Sequence, residues 1–120
     1  MQTMKLGQII EELEKFKPDS AVYFDFGYIK PTTLDSWRGV YAKLALGYEL
    51  SMGEELMTEE LLVRLRSANG DVFEGWKGGE YRMDLDTEVY VDNSGDYSKT
   101  IITGIVDDDG PVIQTAKING

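Results

Sequence analysis

Two short tracts carry residue types from which a binding site could be built. Trp37-Arg38-Gly39-Val40-Tyr41 and Trp76-Lys77-Gly78-Gly79-Glu80-Tyr81 each set a cation directly after a tryptophan, then glycine, then tyrosine. Aromatic faces stack on planar rings, Arg or Lys neutralises a phosphate or carboxylate, and glycine lets backbone N–H groups approach an anion closely. Those capacities together suit a small pocket for an anionic, ring-bearing ligand such as a nucleotide. The candidate ligand-binding set is Trp37, Arg38, Tyr41, Trp76, Lys77, Gly78, Gly79 and Tyr81. A plainer reading stands beside it: tryptophan fills cores, Arg and Lys stems cover aromatic faces, and glycine makes turns.

Charge placement singles out the same tracts. The chain has 22 acidic and 12 basic residues and a net charge of −10. Residues 36–48 hold Arg38 and Lys43 with no acid, and residues 75–83 hold Lys77 and Arg82 against Glu80. Residues 84–110, by contrast, crowd acids around Lys99 alone. So acidic a chain has no general affinity for nucleic-acid backbone, because phosphates are repelled. Its acidity serves solubility, or imitates nucleic acid toward a basic host protein.

Catalytic options are few. Without histidine or cysteine the chain lacks the side chain that titrates nearest neutrality, a thiol nucleophile, any disulfide and the usual zinc ligands. No nucleophile elbow, phosphate-binding loop or dinucleotide fingerprint occurs, so no cofactor is expected. Alternating acids at Asp84, Asp86 and Glu88, and at Asp92 and Asp96, miss the calcium-loop pattern. Its glycine position falls on Val89 or Tyr97, and its closing acid on Gly95 or Thr103. No metal site is expected, and the only enzyme reading left is a carboxylate-dependent hydrolase.

The elements that must position these tracts follow from periodicity. Leu6, Ile9, Ile10, Leu13 and Phe16 form a helical stripe that Thr3 could cap and Lys17-Pro18 ends. Residues 21–26 and 41–48 read as strands, with a loop between them through Pro31 and Asp35. Thr58 heads a second helix through Leu61, Leu62 and Leu65, which ends at Asn69-Gly70. Residues 71–86 read as an inserted hairpin around Gly78-Gly79, residues 87–92 and 100–106 as strands, and 112–118 as a strand or tail. Val22-Tyr23-Phe24-Asp25 and Val89-Tyr90-Val91-Asp92 echo one another.

The expectation is one α+β domain over 1–120: an antiparallel or mixed sheet with two helices on one face. It would comprise two diverged helix-strand-strand units, 1–50 and 57–106, followed by an acidic turn and strand or tail over 107–120. No apolar run approaches the ~20 residues of a membrane span, and the charged first 20 residues do not read as a signal peptide, so a cytoplasmic protein is expected.

The runs Val22-Tyr23-Phe24-Asp25-Phe26-Gly27, Asp35-Ser36-Trp37-Arg38-Gly39-Val40-Tyr41, and Phe73-Glu74-Gly75-Trp76-Lys77-Gly78-Gly79-Glu80-Tyr81 resemble those of a group of small uncharacterised phage and prophage proteins. The resemblance covers most of the chain up to about Val106 and brings no assigned activity or site residue. It implies a role in host takeover or counter-defence in the cytoplasm of an infected bacterium. The expected function is non-covalent sequestration of an anionic nucleotide-type molecule, with room for a homo-oligomer. The alternatives are a nucleic-acid-mimicking inhibitor of a nuclease and the hydrolase.

Overall fold

The computed structural model describes residues 2–27, 29–38, 40–48, 57–75, 77–92 and 99–118. Helix α1 (Leu6–Leu13) buries Leu6, Ile9, Ile10 and Leu13, the stripe read from the sequence. Helix α2 (Thr58–Ala68) buries Leu61, Leu62, Leu65 and Ala68. Between and after them run β1 (Tyr23–Phe24), β2 (Thr33–Ser36), β3 (Leu44–Gly47), β4 (Val72–Glu74), β5 (Glu80–Arg82), β6 (Val89–Val91), β7 (Lys99–Asp107) and β8 (Pro111–Ile118). Six strands form a mixed sheet in the order β1-β8-β7-β6-β3-β2, while β4 and β5 form a separate hairpin around Gly78 and Gly79. Both helices pack one face of the large sheet through a single core that takes Phe24, Leu44, Leu46, Val89, Val91, Ile102 and Ile113 from the strands. The expected α+β class, with a mixed sheet and helices on one face, is the architecture found.

The pairing shows why the two units echo each other. The first strand of each lies parallel to the last strand of the other: β1 beside β8, and β6 beside β3. Each of those last strands is in turn half of an antiparallel pair, β7–β8 or β2–β3. Backbone bonds repeat the exchange. Leu6 N–H donates to Thr87 O at 2.8 Å and Thr58 N–H to Ser20 O at 2.9 Å; Gly7 N–H reaches Leu85 O at 2.9 Å and Glu59 N–H reaches Pro18 O at 3.0 Å. Orphan N–H groups at each helix start are thus satisfied by the segment leading into the first strand of the other unit. Past the two strands, Asp25 N–H donates to Ile113 O at 3.0 Å and Asp92 N–H to Leu46 O at 2.9 Å.

Several expectations change in detail. The counterpart of β3 is β8 rather than residues 100–106, so the second unit runs on through 107–118, and the segment read as strand or tail is a full strand. Residues 33–36, read as loop, form edge strand β2; Thr33-Leu34-Asp35-Ser36 lacks strong alternation, and pairing with β3 makes it a strand. Thr3 does not cap α1, whose N-cap is Lys5. Its buried hydroxyl instead donates to Val89 O and accepts from Ile102 N–H at 2.8 Å, tying β6 to β7. Two buried backbone groups outweigh a helix-capping role.

Among the described residues, two departures between the units bear on the candidate tracts. The β2–β3 connection spans residues 37–43, whereas its counterpart between β7 and β8 is the tight turn at Asp108, Asp109 and Gly110. The β4–β5 hairpin lies between α2 and β6 and has no counterpart between α1 and β1. These departures hold the two tracts singled out by their chemistry.

Replacing Thr3 with valine keeps its shape and removes both bonds. Urea denaturation should show a loss of about 1–3 kcal/mol with an unchanged slope. A variant as stable as the parent contradicts the bridging role.

Candidate functional site

The two departures touch. Tyr41, in the β2–β3 connection, lies 6.1 Å ring to ring from Tyr81 of β5. Gly75, at the hairpin tip, is buried so closely that an added Cβ would meet Tyr81 Cε2 at 3.0 Å and Tyr41 Cβ and Gly78 O at 3.1 Å. The tip is wound by Gly78 N–H donating to Gly75 O and Gly75 N–H donating to Gly79 O, both at 3.0 Å. Gly78 and Gly79 take φ of +94° and +90°, which side chains resist. The N–H of Gly78 is therefore committed within the turn.

Trp37 goes elsewhere. Strand alternation sends Ala45, Tyr90 and Ile101 to the face away from the helices, and the indole stacks there on Tyr90, with centroids 4.2 Å apart and planes 14° apart. Lys99 Nζ lies 5.9 Å from the Trp37 ring centre. The connection itself is braced by Trp37 N–H to Lys43 O at 2.8 Å and Ser36 Oγ to Tyr41 O at 2.7 Å. Trp37 and Tyr41 thus diverge, one onto the sheet face away from the helices and the other onto the hairpin, whose Phe73 and Tyr81 pack against the helix-side core.

Of the eight candidate residues, Tyr41, Gly79 and Tyr81 come together, with Gly78 in the same turn. Arg38 and Lys77 are exposed, each in one of the two touching segments, and Trp37 forms its own stack. Trp76 lies outside the described residues. Sequence reasoning missed Tyr90 and Lys99 as partners of Trp37. The V-Y-V alternation of β6 already points Tyr90 away from the core, but nothing local says which indole meets it.

Beside the stack lies a polar chain. The Lys43 ammonium donates to Glu88 Oε1, and Tyr90 OH donates to Glu88 Oε2 at 3.2 Å. The Lys43 hydrogen bond holds the Glu88 carboxyl below its ordinary 4.5, assisted by that cation's charge and outweighing partial burial. Burial raises the Tyr90 phenol above 10.0, and the neighbouring Glu88 carboxylate pushes the same way. A proton-transfer role at neutral pH finds no support here, since one group stays ionised and the other neutral. Among the described residues no cluster of three or more carboxylates could hold a metal ion. Comparison with protein-family models, curated proteins and solved structures finds no match for the chain.

The pKa shifts set a pH dependence. The depressed Glu88 carboxyl contributes stability above pH 4.5 that is lost as pH falls through its lowered value; the raised Tyr90 phenol contributes below pH 10.0 and loses it as pH rises through its raised value. In Lys43→Met, carbon-detected NMR should show the Glu88 carboxyl titrating at a higher pH than in the parent. An unmoved midpoint contradicts the assigned cause.

Proposed function

We propose that the protein acts by non-covalent binding and that its ligand is an anionic, ring-bearing molecule of the nucleotide type. The observation that carries this reading is the meeting of the two Trp-cation-Gly-Tyr tracts through Tyr41, Tyr81 and Gly75, at the places where the two units differ. Arg38 and Lys77 would neutralise the ligand's charge, while Tyr41 and Tyr81 would line its ring beside the glycine turn. Trp37 offers the stack on Tyr90 as a second aromatic surface, and Trp76 enters by its sequence position. No helix among the described residues is long and apolar enough to cross a membrane. With the resemblance to phage-encoded proteins, the reading is of a counter-defence protein that sequesters a host nucleotide signal in the bacterial cytoplasm.

One observation favours a second reading. The counterpart of the 37–43 connection is the exposed acidic turn after β7, where Asp108 and Asp109 follow Asp107 at the end of the strand. A surface so charged could cover the groove of a basic nuclease, and salt-sensitive capture of such an enzyme by immobilised protein would favour that reading.

A thermal-shift screen against linear and cyclic nucleotides tests the first. A ligand at a hundredfold its dissociation constant should add about 2.7 kcal/mol to stability. Arg38→Ala and Lys77→Ala should each weaken binding roughly tenfold or more, as loss of a hydrogen bond to a charged group does. Arg66→Ala, on the outer side of α2, should leave it unchanged. An absence of stabilisation by every nucleotide contradicts the proposal.

A further inference from the structure

The β4–β5 hairpin hangs on the domain in an unusual way. Among the described residues it forms its own two-stranded sheet, with no partner strand in the large one. Its strands have three residues each, and Val72, Glu74, Glu80 and Arg82 are exposed, leaving Phe73 and Tyr81 to face inward. A hairpin that small is marginal by itself in water, so its position depends on what it leans against.

Besides the packing of Phe73 and Tyr81 on the core margin, the hairpin is held at its base and its tip. At the base, Gly70 N–H donates to Met83 O at 2.7 Å, Met83 N–H to Asp71 O at 2.9 Å, and Arg82 Nη1 to Gly70 O at 2.6 Å. Gly70 has φ +82° with nothing within 4 Å of an added Cβ, so the chain enters the hairpin through an open, left-handed residue. At the tip, Tyr41 meets Tyr81 and Gly75. Between base and tip, Phe73 and Asp71 line one side of an open groove of about 270 Å³, which Leu34 of β2 and Val63, Arg64, Ser67 and Ala68 of α2 complete.

We propose that the β4–β5 hairpin is a hinged arm, latched at its tip by the Tyr41–Tyr81 contact, whose swing sets the width of the groove between α2 and β2. The base bonds and Gly70 form the hinge, and the arm opens as a unit while the six-stranded sheet stays closed. Opening breaks no pairing of the six-stranded sheet and withdraws only Phe73 and Tyr81 from the margin of the core. The arm also carries the exposed Lys77. The inference concerns the free protein and stands apart from any ligand.

Native-state amide exchange on the unliganded protein, followed by NMR over a series of low urea concentrations, tests it. The Phe73, Gly75 and Tyr81 amides, which point across the hairpin ladder, are expected to exchange through an opening nearly independent of urea and faster than that of Ile102 and Ile113, whose exchange follows global unfolding. Tyr41→Ala, which removes the latch without altering the arm itself, should speed exchange of the arm amides by about tenfold while Ile102 and Ile113 change less. Arm amides that follow the same urea dependence and protection as Ile102 would overturn the proposal. So would a Tyr41→Ala variant that speeds all amides equally, or none.

Discussion

Strand exchange between the two units is the constraint on which the rest of the structure depends. Neither unit completes its sheet alone, because β1 lies beside β8 and β6 lies beside β3. The helix starts obey the same rule, each finding its hydrogen-bond acceptors in the other unit. Parallel neighbours need crossovers, and here each crossover passes through the partner half of the chain. One core results, with α1 and α2 packed together over strands drawn from both halves. Thr3 of the first unit adds to the exchange by bonding Val89 of β6 and Ile102 of β7, both in the second unit.

A scaffold built on repeated pairings is most distinctive at the places where the repeat fails. The β2–β3 connection and the β4–β5 hairpin are such places, and they touch through Tyr41, Tyr81 and Gly75. Rigid elements carry both: the connection is clamped between two paired strands, and the hairpin is based on α2 and Met83, which is fully buried. The charge distribution follows the same division. The exposed cations Arg38 and Lys77 belong to the two departures, whereas the equivalent turn after β7 is acidic. Around them the polar chain from Lys43 through Glu88 to Tyr90 anchors the sheet face on which Trp37 rests.

Much of this was legible in the residues. The stripe Leu6, Ile9, Ile10, Leu13 announces α1 because burial of one helix face leaves a 3.6-residue period. The V-Y-(F/V)-D echo reflects a shared demand: Val22, Phe24, Val89 and Val91 point into the core, and Tyr23 and Tyr90 point away from it. Gly78-Gly79 marks the hairpin because its turn needs positive φ. What stayed hidden depends on partners distant in sequence. Residues 33–36 become a strand only because β3 is available, and Thr3 looks like a cap until β6 and β7 supply better partners. The stack of Trp37 on Tyr90 is likewise a tertiary fact. Composition pointed to both tracts, but only the fold shows that Tyr41, not Trp37, is the residue that joins them.

The repeat supplies an internal control for the central claim that function sits where the two units differ. The most direct measurement is a two-dimensional amide NMR titration of the protein with a nucleotide that binds it. Chemical-shift changes concentrated in residues 37–43 and 71–82, with the counterpart turn at 108–110 and the α1–β1 connection unmoved, are the result this account predicts. Changes centred on the acidic turn, or spread equally over both units, would contradict it.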